Sequence, residues 1–184
     1  MYVKGVGMTR FSLDDRSNQS MILESTREAL NDSDINLRDI DAVVMSTVDS
    51  SVNDEKQRHY PSLVSSILKK KVPMIRVPAV CGGGGAAFWT ANRLGYDNVL
   101  VIATDKIACN KTEIITKEIL SAADRVYAQQ EGLVFPAENA LLAQQHMMNF
   151  DTTEEDLALI SFKNHENAFL NPKAHFYGKK VSLE

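Results

Sequence analysis

Cys81 stands where a strand pattern gives way to a helix pattern, and Gly82-Gly83-Gly84-Gly85 follows it. A parallel strand that turns sharply into a helix delivers its last side chains to the carboxyl edge of the sheet, where sites of open α/β folds gather. The helix start adds partial positive charge and N–H groups without intrahelical partners. Such surroundings favour a thiolate, the nucleophilic form of cysteine. The same N–H groups suit the oxyanion that forms when a thiolate attacks a thioester carbonyl. The glycines remove side chains from the approach path. A small buried cysteine beside a glycine-rich turn is the other reading, and residue types and spacing leave both open.

The remaining chemistry-bearing residues form no comparable constellation. The glycine run lacks the Lys-Ser/Thr of a P-loop and is no G-x-G-x-x-G fingerprint, so a nucleotide fold is disfavoured. The second cysteine, Cys109, reads as structural, and the two cysteines have neither a disulfide framework nor metal-ligand spacing. Of the four histidines, His59 and His175 sit in polar stretches, His146 adjoins Met147 and Met148, and His165 lies in a polar helix. None is expected to be catalytic. Asp105 ends a strand and reads as a cap for the next segment.

The elements that must position Cys81 alternate between two periodicities. Tyr2–Met8, Ala42–Thr47, Met74–Val80 and Asn98–Thr104 read as strands. Between them, Met21, Ile22, Ser25, Ala29 and Leu30 share one helical face, and Leu63, Ile67 and Leu68 mark a second helix. A third runs from the glycines to Gly95, and Asp49–Arg58 is polar. This βαβαβαβ order implies a parallel sheet with right-handed crossovers. After Asp105 the texture turns helical: an amphipathic segment over Ile114–Tyr127, a helix over Ala137–Met148, and another over Glu154–Ala168 with Thr152 and Glu155 at capping-box spacing. Phe88, Trp89, Met147, Met148 and Phe150 read as core rather than as an acyl pocket, with an exposed patch expected at Phe88 and Trp89.

Apolar residues make up 44% of the 184, and 20 basic against 24 acidic residues give a net charge of −4. That composition fits a globular chain with a real core and excludes disorder. It lacks the basic face that nucleic-acid binding needs. Lys69-Lys70-Lys71 reads as the solvated end of a helix. No apolar run reaches the ~20 residues of a membrane span, and Met1–Gly7 is no signal peptide, so a cytoplasmic location is expected.

Several segments taken in order give the chain a family likeness. They are VKGVGMTRF at the start, DINLRDIDAVVMST, the turn RVPAVCGGGGAAFWTA, NVLVIATDK, ENALLAQQHMMNF and TTEEDLALISFKNHENAFLNPKAHF. In this order the chain resembles the N-terminal half of a thiolase of the archaeal and sterol-carrier type. The resemblance implies an α/β fold, a mainly parallel sheet with flanking helices plus a helical loop region. Residues 1–105 would be the core, and 106–184 the loop region that covers the site and helps hold coenzyme A. Cys81 would be the acyl-accepting nucleophile. A coenzyme A thioester would be the substrate, with no metal and no bound redox cofactor. Where thiolases often carry Cys-Ala-Ser-Gly or Cys-Ser-Ser-Gly, this chain has Cys81 followed by glycines.

Family enzymes are about twice as long, and their catalytic His and second Cys lie in the C-terminal half. The chain is therefore expected to be a cut piece, a truncated product or one subunit of a split enzyme, incomplete alone. Partners would be acyl-CoA and either a second copy or a complementing C-terminal half. Self-association through Met74–Val80, with Ile75 and Val77 on an open edge, is implied by the same likeness. Two rivals stand beside it: part of a ketoacyl or hydroxymethylglutaryl-CoA synthase, and a non-catalytic acyl-CoA-binding or assembly subunit.

The placement of Cys81 yields a direct test. Iodoacetamide near neutral pH is expected to alkylate Cys81 faster than Cys109, as followed by peptide mass mapping. Faster labelling of Cys109 would count against the assignment of Cys81.

Overall fold

The computed structural model describes residues 2–13, 15–48, 59–107 and 111–183. The polar stretch 49–58 and Cys109 lie outside the described residues. The chain divides into two compact units, one built from the segment before Arg10 together with Leu13–Ile115, the other from Arg10–Ser12 and the segment from Thr116 onward.

The first unit holds a parallel sheet of order β2-β1-β3, with β1 at Ala42–Ser46, β2 at Met74–Arg76 and β3 at Val99–Ala103. Val43 pairs with Met74 and with Leu100, and Val44 with Ile75 and Val101. β1 is central and buried along its whole length, as its unbroken apolar run anticipates. Its side chains alternate between two faces. Val43 and Met45 join Ile22, Val64, Leu68, Leu100 and Ile102 in one cluster, whereas Val44 packs with Ala87 and Ala91 in another.

The first cluster is covered by α1 (Asn18–Ser33) and α2 (Tyr60–Leu68). Ser17 caps α1 by accepting from the Ser20 N–H. The buried face of α1 is Asn18, Ile22 and Thr26, one residue round from the face the sequence pattern suggested. Asn18 is drawn inward because its Nδ2 donates to the Tyr60 hydroxyl at 3.1 Å. In α2 the four-residue row Tyr60, Val64, Leu68 is buried. Lys69 ends α2 in a left-handed conformation, and the Lys70 ammonium donates to the Arg38 carbonyl.

The second cluster is covered by α3 (Gly83–Arg93), whose buried positions Gly83, Ala87 and Ala91 fall four residues apart. This row of small residues lets the helix axis approach β1 closely. A Cβ on Gly83 would overlap the Ser46 Oγ, which is itself held by donation to the Val77 carbonyl at 2.9 Å.

Residues 2–8 depart from the expected strand. They pair with no strand; the Val6 N–H donates to Asp32 and the Met8 N–H to Glu28, both at 2.9 Å, so carboxylates of α1 satisfy them. Gly5 and Gly7 permit this path, since a side chain on either would run into the backbone of α1.

The expected amphipathic segment 114–127 splits in two. The helix α4 spans Thr112–Leu120, and a turn over Ser121–Tyr127 leads to the short α5 (Ala128–Glu131). Two long helices follow, α6 (Phe135–Phe150) with Pro136 in its first turn and α7 (Glu154–Leu170). The capping box of α7 is Thr153 with Asp156, one residue on from the pair the spacing suggested. Hydrogen bonds from the Thr153 N–H and hydroxyl hold the Asp156 carboxyl below the usual aspartate range. That contribution is therefore complete above the ordinary aspartate pKa and fades as pH falls through the lowered one. Met148 and Phe150, expected in the core, are exposed, because no described residue is laid over that side of α6.

The glycines of α3 are not equivalent. Gly83→Ala is expected to destabilise the chain by about 1–3 kcal/mol through overpacking against Ser46. Gly85→Ala, which meets nothing within 4 Å, is expected to stabilise it by up to about 1 kcal/mol through helix propensity. Urea unfolding midpoints of the two variants check the opposite signs.

Candidate functional site

Cys81 lies in a single 3-10 turn, Val80–Gly82, between β2 and α3. The Gly82 N–H closes the turn on the Ala79 carbonyl at 2.9 Å, and the Gly83 N–H donates to the Val80 carbonyl. Val80 takes φ +43°, a left-handed conformation that a β-branched residue enters only under strain. The strain has a local cause: the chain must leave an edge strand and start a helix whose first residue is already pressed on Ser46. The result is an exposed thiol at the strand-to-helix junction. Gly82, the residue before the helix, offers no side-chain cap, so the first-turn N–H groups of α3 have no side chain placed over them. Side chains added at Gly82 or Gly85 would meet open space. The glycine run thus serves two ends, close packing at Gly83 and an uncovered approach at its neighbours.

The carboxyl edge beneath this turn is tied together by polar contacts. The Val77 N–H donates to the Met45 carbonyl at 2.8 Å, and the Thr104 N–H to the Ser46 carbonyl at 3.1 Å. Asp105 accepts from the Val48 N–H at 2.8 Å, so it links the ends of β3 and β1. Arg76, at the end of β2, donates to Thr47 Oγ1 at 3.3 Å and stacks its guanidinium 5.6 Å over the Tyr60 ring. Sequence reasoning passed over Arg76 and Ser46 as anonymous strand positions. The available signal was Arg76 itself, a charge between Ile75 and Val77 in an otherwise apolar strand.

Three of the four histidines are engaged elsewhere. His59 is exposed ahead of α2. His146 meets Thr152 Oγ1 at 3.0 Å and packs its ring 4.8 Å from Phe150. His165 donates from Nδ1 to the Ser161 carbonyl at 2.9 Å, and both His165 and His175 stand edge-on to Phe176. Among the described residues no hydrogen bond or ion pair joins Cys81 to a histidine, and no group of three or more His, Cys, Asp or Glu could hold a metal ion. No helix among them is long and apolar enough to cross a membrane. On α3, Phe88 and Trp89 are exposed, and Arg93 covers one face of the Trp89 ring at 5.4 Å. The arrangement sets an exposed thiol beside the uncapped start of α3, with no histidine bonded to it among the described residues.

No family profile matches the chain. An acetyl-CoA acetyltransferase of Methanothermobacter thermautotrophicus is 34% identical over 99% of this chain and 48% of its own length. One from Methanocaldococcus jannaschii is 31% identical over 98% of this chain and 46% of its own length. The chain thus spans about half the length of the curated relatives it matches. A solved structure titled Ltp2-ChsH2(DUF35) aldolase covers 98% of this chain and 46% of that one at 21% identity, with a TM-score of 0.64, and shares the fold. By sequence this chain is similar along its whole length to the thiolase superfamily.

The strain at Val80 is measurable. A left-handed β-branched residue costs about 1–3 kcal/mol, and glycine gives back about 0.5–1 in chain entropy. Val80→Gly is therefore expected to leave the urea midpoint unchanged or raise stability by up to about 2 kcal/mol. A clear loss of stability would show that the turn is relaxed.

Proposed function

We propose, from the likeness of this chain to the thiolase superfamily, that Cys81 is the acyl-accepting nucleophile of an acyl-CoA acyltransferase. The observation that carries the reading is the strained, uncapped strand-to-helix turn that holds an exposed Cys81 at the carboxyl edge of the sheet. The Cys81 thiolate attacks the carbonyl carbon of an acyl-CoA thioester. The oxyanion of the tetrahedral intermediate accepts hydrogen bonds from backbone N–H groups at the start of α3. Collapse of that intermediate breaks the bond to coenzyme A, whose thiolate leaves and takes up a proton. The acyl group remains on Sγ as a new thioester. In the second half of a ping-pong cycle, either coenzyme A or an acyl-CoA carbanion attacks that thioester.

By the same likeness, residues from about 106 onward correspond to the family's loop region, which helps hold coenzyme A. The reaction needs no metal and no bound redox cofactor, and a reducing cytoplasm suits a free thiolate. Carbon–carbon bond formation asks for a base and for donors to an enolate oxygen, and no described histidine is engaged with Cys81. Losing a positioned base costs ~10²–10⁴-fold and losing an oxyanion donor ~10²–10³-fold.

The 184-residue chain incubated with acetyl-CoA is expected to form an acetyl adduct that maps to Cys81 and is cleaved by hydroxylamine. Cys81→Ala should remove the adduct while the far-UV circular dichroism stays unchanged. Acetoacetyl-CoA thiolysis by the same preparation is expected to fall below detection. The absence of any adduct would favour a binding or assembly subunit, and robust thiolysis would require one of His59, His146, His165 or His175 to act as the base.

A further inference from the structure

Ser46 closes β1 and is 2% exposed. Its side chain meets both ends of the connection that carries Cys81. At the β2 end, Ser46 Oγ donates to the Val77 carbonyl at 2.9 Å. At the α3 end, Gly83 lies against the same oxygen: a Cβ there would overlap Oγ and stand 3.1 Å from Ser46 Cβ. β1 thus holds Val77 by both backbone polar groups, since the Val77 N–H donates to the Met45 carbonyl at 2.8 Å. Ser46 is itself fixed, because its carbonyl accepts from the Thr104 N–H at 3.1 Å and it pairs with Ala103 of β3.

Two hydrogen bonds within the connection, Gly82 N–H to the Ala79 carbonyl and Gly83 N–H to the Val80 carbonyl, shape the turn without tying it to the sheet. Val80 stores strain there at φ +43°, and a strained conformation persists only where its surroundings over-determine it. Ser46 supplies such a restraint at both ends. Residue type matters at this position. A buried hydroxyl is costly unless it is hydrogen-bonded, and this one bonds a connecting segment rather than its own strand. Alanine would give the Val77 carbonyl no donor, and a longer side chain would run into Gly83.

We infer that Ser46 is a positioning residue for the Cys81 turn: it fixes Val77 and Gly83, so that the Cys81 thiol and the first N–H groups of α3 keep one mutual placement. This role rests on the acyl transfer proposed for Cys81 and gives Ser46 no contact with substrate. Acyl transfer is sensitive to that placement, because the thiolate and the oxyanion donors must act on one carbonyl group. Alkylation by iodoacetamide uses the thiolate alone. A carbon–sulfur bond forms as iodide leaves, and no oxyanion arises.

Two probes of the full chain separate placement from thiol reactivity, each followed at Cys81 by peptide mass mapping. With p-nitrophenyl acetate the thiolate attacks the ester carbonyl carbon, the carbon–oxygen bond breaks, and p-nitrophenolate leaves with its electron pair. Iodoacetamide is the second probe. Ser46→Ala is expected to slow acetylation about tenfold or more, within the ~10²–10³-fold that one lost oxyanion donor costs, and to change alkylation less than about twofold. Gly83→Ala presses on the same hydroxyl from the other side and is expected to lower the ratio of acetylation to alkylation as well. Val43→Ala, in the cluster on the opposite sheet face, should lower the urea midpoint and leave that ratio unchanged. Circular dichroism verifies that each variant is folded, and Gly83→Ala decides the matter if Ser46→Ala is not. Three results would overturn the assignment: an unchanged ratio in a destabilised Ser46→Ala chain, which would make Ser46 a support of the fold only; an equal fall in both rates; and an equal fall of the ratio in Val43→Ala. Because p-nitrophenyl acetate carries no coenzyme A, a wild type that accepts its acetyl group but none from acetyl-CoA refutes the acyl-CoA reading, while the assignment of Ser46 still stands or falls on the variants.

Discussion

The close approach of α3 to β1 governs the first unit. Gly83 rests directly on Ser46, and Ala87 and Ala91 continue the contact one turn at a time. Because the helix begins on the sheet, the connection from β2 has only a few residues in which to rise and reverse. A single 3-10 turn fills that space, and Val80 absorbs the geometric mismatch in its backbone. Cys81 is exposed as a consequence of this packing. The Ser46 hydroxyl cannot simply swing aside for a larger residue at position 83, because it is committed to the Val77 carbonyl at 2.9 Å.

The two sheet faces use different means to the same end. One is covered by branched and aromatic side chains, Ile22, Tyr60 and Val64, at ordinary helix–sheet distance. The other uses small residues, and there Gly83 lies directly against the Ser46 side chain. The thicker face tolerates buried polar atoms, and the Asn18–Tyr60 hydrogen bond sits within it. From Tyr60 the polar contacts continue through Arg76 to Thr47, so the ends of β1 and β2 are held by α2 as well as by their own ladder. This bracing fixes the floor from which the turn at Cys81 departs.

The second unit is held by local devices. The capping box at Thr153 and Asp156, the turn bonds of Asp124 to the N–H groups of Val126 and Tyr127, and the return of the chain onto Phe169 each span a short stretch of sequence. No residue of α5, α6 or α7 is buried, whereas the first unit gathers its buried apolar residues around β1.

What the sequence determined by itself is the part of the fold governed by short-range pattern. The unbroken apolar runs at Ala42–Ser46 and Val99–Ala103 could only be strands covered on both faces, and the parallel order came from the helical stretches between them. The strand-to-helix position of Cys81 was equally legible, because a cysteine, a glycine run and a helical pattern stand side by side. Tertiary structure decided what depends on partners distant in sequence. Residues 2–8 carry a strand-like pattern, yet their N–H groups found the carboxylates of Asp32 and Glu28 first. Asn18 became a core residue only because Tyr60, from another helix, offered its hydroxyl. Met148 and Phe150 are apolar enough for a core but came to lie on its outside. The meeting of α3 with β1 decides which of four glycines bears on Ser46, and that Val80 carries the strain. Periodicity states which face of an element is apolar, but only the assembled chain states what that face touches.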